Sequence, residues 1–367
     1  MKIGVYYRSF AFHGGGPRVA LGIAKSLAQL GHQPVILTNE YDLAVCPDLK
    51  NWKIARAKFG PLERIFFREI GYVPSTVFLF AKNLRKLDSL FLTGMYLTSP
   101  LVKIFSKKPL ILYIHCAVSW DWTINRAIRH AVREIEKRTY RFADCVLCNS
   151  MLTHRVLKAY LELDSEILYP PIDTEYFNPT REKEENLIVS VCRLDPKKES
   201  ERMIKIFKSS ILGKYRFVLA GNVDKRHRQY AKRLRQLADK DARVSVIFNP
   251  SHEEIRNLYQ KAAVFWYIYP REDFGIPPAE AMSCGTPVVA MRGGGVNEIV
   301  TRETGFLASS NDEFIRLTRF LLENHEKRRR MGVAATRLVK TRFSHVVFTA
   351  KIQATLNTTL DGEETNV

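Results

Sequence analysis

The chain has 367 residues, 46% of them hydrophobic and 26% charged, which suits a globular protein of two domains and excludes a disordered one. Its longest apolar runs, Val73–Ala81 and Leu110–Trp120, fall short of the roughly 18–20 residues that span a bilayer, and Arg8 arrives before any signal-peptide core can form. Lys and Arg outnumber Asp and Glu by 57 to 38, giving +19 spread over both halves, so phosphorylated ligands, anionic lipid and nucleic acid stay open as partners. Six cysteines are too few for a disulfide scaffold. Cys145 and Cys148 form a single Cys-x-x-Cys with no second pair for zinc and read as a buried strand in a reducing, cytoplasmic protein.

Lys2–Tyr7 is a β-rich run that leads into Gly14-Gly15-Gly16-Pro17. Val19, Ala20, Ile23, Ala24, Leu27 and Leu30 then repeat at helical spacing until Gly31, and Pro34–Thr38 is the next strand. Strands are expected at Leu87–Leu92, Leu110–His115 and Ala143–Cys148, with helices between, an alternation that implies a parallel sheet wrapped by helices. Tyr169–Asp173, Phe177–Pro179 and the charged Arg181–Glu185 read as an exposed linker. A second series follows at Leu187–Cys192, Phe217–Ala220, Val244–Phe248, Val264–Ile268 and Pro287–Ala290, with helices at Asp312–Leu322 and Lys327–Lys340. Asp361–Val367 is polar and reads as frayed.

Gly14–Gly16 sits between a strand and a helix, where backbone N–H groups favour an anion. It is no dinucleotide fingerprint, because Val19 stands at the third glycine, and no Walker loop, because Gly-Lys-Ser/Thr is absent. Gly293–Gly295 forms a second glycine loop after a strand. Between the two loops, the strand ending at Val191-Cys192 runs into Arg193 and, five residues on, Lys198, placed to neutralise a diphosphate at a strand's carboxyl end. Glu272 and Glu280 are separated by seven residues. With a helix starting near Pro277 or Pro278, Glu272 is expected in the preceding loop and Glu280 in the first turn, both aimed at one cleft as acceptors for sugar hydroxyls.

These stretches resemble the family 4 retaining glycosyltransferases of the GT-B fold, mannosyltransferases in particular. The resemblance runs from Gly14–Gly16 and Gly31-His32 through His115, Asn149-Ser150, Tyr169–Asp173, Arg193 with Lys198, and Glu272 to Glu280. It continues through Gly293–Gly295 with Glu298, Thr304–Leu307 and Arg342-Phe343-Ser344. It implies an α/β architecture of two doubly wound Rossmann-like domains facing across a cleft. Residues 1–172 would form the acceptor-side domain and 173–345 the nucleotide-sugar domain. Residues 346–360 would be a helix returning to the first domain, with 361–367 as its tail. Gly15 and Gly16 would contact the donor diphosphate, which Arg193 and Lys198 hold. His115 would lie beside the transferred sugar, Glu272 would bind its hydroxyls and Glu280 the ribose. Backbone N–H groups near Phe274, Gly275 and Ile276, with Gly294 and Gly295, would complete the donor site. The Glu-Asp-Phe-Gly-Ile variant at 272–276 resembles members that use GDP-mannose. Glu199 departs from the family's glycine after the phosphate lysine and is expected to face solvent.

Other features read as structural. Asp239-Lys240-Asp241 has Asp-x-Asp spacing but lies in a polar connection, and no metal or other cofactor is expected. Lys225–Arg235 reads as a charged surface and not as a nucleic-acid reader. His252-Glu253-Glu254 lacks a zinc helix's second histidine, and Trp120 and Trp122 either shape an acceptor site or pack on the core. Residues 50–86 carry Lys50, Lys53, Arg56, Lys58, Arg64, Arg68, Lys82, Arg85 and Lys86 against only Glu63 and Glu69 among the acids there named. Interleaved are Trp52, Phe59, Ile65, Phe66, Phe67, Ile70, Val77, Phe78 and Phe80, a pattern that suits a cytoplasmic leaflet of anionic lipid. The expected activity is metal-independent hexosyl transfer, with mannose from GDP-mannose favoured, to a glycan or lipid-linked acceptor. The rival is a glycosyltransferase-like scaffold or nucleotide-binding subunit without turnover.

Overall fold

The computed structural model describes residues 1–12, 14–57, 73–94, 96–116, 126–180, 182–209 and 212–361. They fall into two compact units, Met1–Pro171 with His345–Val367, and Ile172–Ser344.

In chain order the first unit contains β1 (Lys2–Tyr6), β2 (Ser9–Phe10), α1 (Gly15–Gln29), β3 (Gln33–Thr38), β4 (Glu40–Tyr41), β5 (Lys53–Arg56), α2 (Val73–Asn83) and β6 (Ser89–Leu92). It continues with α3 (Ser99–Phe105), β7 (Leu110–Ile114), α4 (Arg126–Tyr140), β8 (Cys145–Cys148), α5 (Met151–Val156) and β9 (Glu166–Ile167). Seven strands form a parallel sheet in the order β5-β3-β1-β6-β7-β8-β9, and β2 pairs with β4 apart from it. Alternation along β1 sends Ile3 and Val5 into the layer that holds Val19, Ile23 and Leu27 of α1, while Tyr6 joins Leu79 and Phe80 of α2. Gly31, at φ +80, ends the turn after α1 as its sequence position suggested.

The second unit contains β10 (Glu184–Val191), α6 (Ser200–Lys208), β11 (Arg216–Gly221), α7 (Arg228–Ala238), β12 (Val244–Phe248), α8 (His252–Lys261) and β13 (Ala262–Tyr267). It continues with α9 (Ile276–Ser283), β14 (Val288–Met291), α10 (Val296–Ile299), β15 (Gly305–Ala308), α11 (Asn311–Glu323) and α12 (His325–Arg342). Six strands run parallel in the order β12-β11-β10-β13-β14-β15. Its core centres on Phe207, Phe217, Trp266 and Phe314, with Trp266 Nε1 donating to Thr318 Oγ1 at 2.9 Å. The last helix, α13 (His345–Asp361), belongs to the first unit, where Phe348, Ile352 and Leu356 pack with α1 and Ser26 Oγ meets Thr349 Oγ1 at 2.8 Å.

The described residues of 172–185 are mostly exposed or partly exposed, as their prolines and charges suggest, and the two units divide at Pro171, but the stretch is anchored to the second unit. Ile172 bridges Ser344, Ile172 and Phe177 are buried, and Glu184 and Glu185 already belong to β10. Backbone pairing to the unit's own end and burial of one aromatic hold an otherwise exposed, polar stretch in place. In each unit the chain leaves the first strand on one side and returns on its other side, between β1 and β6 and between β10 and β13. The carboxyl ends at such a reversal are where doubly wound sheets bind ligands.

Candidate functional site

In the second unit β10 ends at Val191, and Cys192 and Leu194 stay buried, so the intervening Arg193 is turned outward. Its Nε lies 2.9 Å from Oδ2 of the buried Asp195. Asp195 also caps the 3-10 turn Pro196–Lys198, its Oδ1 accepting from the Lys198 N–H at 3.2 Å. One carboxylate thus orients both cations. Lys197 points to solvent, whereas the Lys198 side chain is only 12% exposed.

From β13 the chain passes through Tyr267, Tyr269 and Pro270 to Glu272. Lys198 Nζ forms an ion pair with Glu272 Oε2 and lies 4.1 Å from the Tyr269 ring centroid. Tyr267 donates to the same Glu272 oxygen at 2.8 Å, and burial together with the Glu272 charge holds its phenol well above the usual range. Burial likewise pushes the Cys192 thiol up to about 11, so the sulfur behind Lys198 stays a neutral filler. Lys198, Glu272, Tyr267 and Tyr269 therefore meet where β10 and β13 reverse the strand order.

Gly293–Gly295 backs this loop. A Cβ on Gly294 would lie 2.5 Å from the Glu272 carbonyl oxygen, and one on Gly295 would lie 2.2 Å from that of Asp273. Gly295 N donates to Glu272 O at 2.7 Å. These glycines let one backbone lie against another and so fix Glu272.

Glu280 is not in the first turn of its helix. α9 begins at Ile276, one residue before the first of the expected starts, so Glu280 is its fifth residue. It is 4% exposed, and its Oε2 accepts from Tyr259 Oη at 3.1 Å. Pro277 and Pro278 lack N–H groups and Ala279 N donates to Gly275 O, leaving few donors at this helix start. Gly275 takes φ +107, and the Phe274 side chain is buried edge-on against Phe343, so only main-chain atoms of Phe274 can face a ligand.

In the first unit Gly15 and Gly16 open α1, and Gly14 precedes it with no capping side chain. A Cβ on Gly16 would lie 2.3 Å from Tyr7 Oη. The His115 ring stands 6.0 Å from that of Tyr7, edge to face. One His115 ring nitrogen bonds the Thr93 backbone and Nε2 is buried without a partner, while burial holds the imidazole down at about 4. His115 is thus a neutral ring whose main chain is fixed by Tyr96 Oη at 3.1 Å and Asn149 Nδ2 at 2.7 Å.

Sequence reasoning missed Tyr7, Tyr259, Tyr267 and Tyr269. The only signal for Tyr7, Tyr267 and Tyr269 was aromatics at the ends of strand runs, and for Tyr259 an aromatic within a helix, both of which also mark an ordinary core. Asp195 could have been found, since Asp-Pro before a turn is a capping pattern. Glu199 keeps about a third of its side chain exposed, with Oε2 accepting from the partly exposed Arg202 Nη1 at 2.7 Å, and its backbone adopts φ +55.

Asp241 is engaged by Arg243 through both oxygens, at 2.9 and 2.6 Å. Among the described residues no group of three or more His, Cys, Asp or Glu could hold a metal ion. In α7 and the turn before it, Arg226 pairs with Asp224 and Arg233 with Glu201. Ser251 and Glu254 form a capping box that starts α8 at His252. Lys50, Lys53, Arg56, Lys82, Arg85 and Lys86 are exposed, as is Phe78, but Trp52 and Val77 are half-buried and Phe80 is fully buried in the core. Phe80 therefore cannot enter lipid; its place on the sheet-facing side of α2 removes it from that face. Lys58, Phe59, Glu63, Arg64, Ile65, Phe66, Phe67, Arg68, Glu69, Ile70, Trp120, Trp122 and Arg181 lie outside the described residues. No described helix is long and apolar enough to cross a membrane.

Known proteins share both sequence and fold with this chain. The Glycosyltransferase Family 4 profile matches residues 13–176, and that of Glycosyl transferases group 1 matches 172–338. The chain is 26% identical to alpha-1,3/1,6-mannosyltransferase ALG2 of Rhizomucor pusillus, over 93% of this chain and 88% of that one. It is also 26% identical to the Homo sapiens protein of the same name, over 67% of each. Among solved structures, Anabaena HepE in complex with UDP has a TM-score of 0.81 at 19% identity, over 98% of this chain and 100% of that one. Sucrose-phosphate synthase from Thermosynechococcus elongatus also scores 0.81 at 19% identity, over 98% and 99% of the two chains. These two likenesses speak for the fold.

Proposed function

Since this chain belongs to the family 4 glycosyltransferases of the GT-B fold, we propose that it moves mannose from GDP-mannose to a glycan or lipid-linked acceptor, with retention and without a metal. The observation that carries the reading is the meeting of Lys198, Glu272 and the Asp195-held Arg193 at the carboxyl ends of β10 and β13. Mannose is supported by the names of the relatives, and guanine by the resemblance of residues 272–276.

In the reaction an acceptor hydroxyl oxygen attacks the anomeric carbon on the face that the diphosphate leaves. The bond from that carbon to phosphate oxygen breaks, and the acceptor proton passes to the departing phosphate, giving glycoside and nucleoside diphosphate. Negative charge grows on the leaving group, and Arg193 and Lys198 stabilise it as preorganised cations. Donor phosphate takes Lys198 from Glu272, whose carboxylate then accepts from sugar hydroxyls. Tyr267 keeps that carboxylate in place. Glu280 holds the ribose, and Gly15 and Gly16 offer backbone N–H groups to the diphosphate. His115 Nε2, buried and without a protein partner, accepts from a hydroxyl of the transferred sugar.

The test is turnover of a panel of nucleotide sugars, by hydrolysis and by transfer, in excess chelator. GDP-mannose should be the preferred donor, and activity should persist. Glu280→Ala should weaken binding of the free nucleoside diphosphate, while Glu272→Ala should lower turnover and spare that binding. Turnover of no donor would favour the scaffold reading, a strict need for manganese or magnesium would overturn metal independence, and preference for a UDP-sugar would replace the donor.

The reading extends to a peripheral place on the cytoplasmic face of a membrane. Phe78 of α2 is 63% exposed and Ile104 of α3 73% exposed, on helices that pack together, with Lys82, Arg85, Lys86, Lys107 and Lys108 also exposed in this unit. Each Lys or Arg near anionic lipid contributes about 1 kcal/mol. Co-sedimentation should need anionic vesicles and fall with salt and in a Lys82→Gln, Arg85→Gln, Lys86→Gln variant; equal binding to neutral vesicles would refute it.

A further inference from the structure

We infer that the Tyr7 hydroxyl touches substrate, donating a hydrogen bond to a phosphate oxygen lodged at the start of α1. The inference rests on the nucleotide-sugar reading and adds to it a residue that the glycine and charge motifs do not contain.

Tyr7 follows β1 directly, and Gly94 follows β6 by two residues, so both stand where the first unit's strand order reverses. The phenol lies over the first turn of α1 because Gly16 has no side chain, and Gly94 leaves room on the ring, 3.8 Å from its would-be Cβ. Phe10, Phe12 and His115 hold the ring at centroid distances of 5.5, 6.4 and 6.0 Å. The ring is thus packed, while its oxygen is carried to the helix start.

That start is prepared for an anion. α1 is 15 residues long, no side chain caps it, and its first turn holds no acid. Beside it, the buried Nε2 of His115 has no partner. Burial pushes the Tyr7 hydroxyl up to about 12, against the pull of Arg8, so it keeps its proton in neutral solution and acts as a donor. Backbone N–H groups and a phenol O–H supply donors, and a neutral imidazole supplies an acceptor. A sugar phosphate presents the complementary set: anionic oxygens for the donors and a hydroxyl for the imidazole. A Phe at position 7 would give the same packing without the hydroxyl.

Tyr7→Phe therefore separates the two roles. Titration calorimetry with GDP should show about tenfold weaker binding, the scale of one hydrogen bond to a charged group, with guanosine binding and the melting temperature unchanged. The KM for the donor should rise with it. Unchanged GDP affinity and donor KM in the variant would overturn the assignment while leaving the transferase reading intact, as would an effect confined to the KM for acceptor. A wild-type protein that binds no nucleoside diphosphate and turns over no nucleotide sugar would overturn both.

Discussion

The two units reverse strand order in the same way, yet they fill the reversal with different chemistry. In the second unit the strand ends carry Arg193, Lys198 and Glu272, and in the first they carry Tyr7, His115 and the start of α1. One is a charged site whose cations already have carboxylate partners. The other is a neutral site with a proton-holding phenol and a proton-free imidazole. The difference follows from burial. A poorly exposed ammonium such as Lys198 needs a counter-charge when no substrate is bound, and Glu272 supplies it. A buried imidazole has a cheaper escape, which is to lose its proton. Glycines serve the two places differently as well. Gly16 admits a side chain, that of Tyr7, while Gly294 and Gly295 admit the main chain of Glu272 and Asp273. The fold thus repeats, but fixed side-chain charge gathers at the reversal of the second unit and neutral hydrogen-bonding side chains at that of the first.

The largest expected effect tests that division. Lys198→Ala or Arg193→Ala should lower kcat/KM by about a hundredfold or more, the scale of removing one preorganised stabiliser of growing charge. His115→Ala, which removes a neutral contact, should cost about tenfold. Equal losses in the two units would erase the contrast, and near-normal activity of both cation variants would remove the phosphate assignment.

Acid sharpens the same comparison. His115 has a folded-state value of about 4 against 6.5 for the free side chain. Between these values the unfolded chain binds a proton that the folded chain does not, so stability is lost as pH falls from about 6.5 through 4. The lost stability amounts to about 3 kcal/mol by pH 4. Denaturant titrations of the wild type and His115→Asn, compared from pH 7 to 4, should show a shallower acid slope in the variant by that amount. Parallel slopes would mean that the ring takes up its proton in place.

Glycine replacement separates side-chain room from main-chain room. Gly295→Ala drives a methyl into the Asp273 carbonyl, a fixed main-chain atom, and should destabilise the protein by about 1–3 kcal/mol. Gly16→Ala meets the far end of a side chain, which can swing away, and should cost less stability but raise the donor KM as Tyr7 leaves its place. Melting curves and kinetics on both variants decide it. A larger stability loss at position 16 would show that Tyr7 is locked.

Where the sequence carried a period or a punctuating residue, it foretold the structure. Val19, Ile23 and Leu27 do face the sheet, Gly31 does end α1, and Val244–Phe248 is a strand with the bounds read from its pattern. Glu272 was legible as a loop carboxylate because Pro277-Pro278 marks a helix start. Long-range contacts were not legible. Nothing local tells that the Glu272 carboxylate meets Lys198 and Tyr267, or that Gly16 exists for Tyr7. Phe80 shares its aromatic character with the exposed Phe78, and only the helical phase of α2 against the sheet separates them. Phe177 likewise reads as linker until its burial beside Tyr259 is known.

The smallest expected effect lies at the edge of the charged site. Glu199 follows Lys198 where the resembled family has glycine, and its backbone explains the preference: φ +55 and ψ 31 place it in the left-handed region. That conformation costs a residue with a side chain about 1–2 kcal/mol, which glycine avoids. Glu199 has two compensations. Its carboxylate accepts from Arg202 one turn on, a half-exposed pair worth up to about 1 kcal/mol, and a glycine there would gain freedom in the unfolded chain. Glu199→Gly should therefore leave stability within about 1 kcal/mol of the wild type, because relief of the backbone and loss of the pair oppose each other. Donor KM should stay within about twofold, since the carboxylate turns toward Arg202 and the cation is already paired with Glu272. Arg202→Ala frees the Glu199 carboxylate while keeping the backbone strained. If its donor KM rises and Glu199→Gly added to it restores the wild-type value, the pair keeps a negative charge out of the phosphate pocket. If neither variant moves KM, Glu199 stands outside the site, and the electrostatics of the second unit reduce to Arg193, Lys198, Asp195 and Glu272.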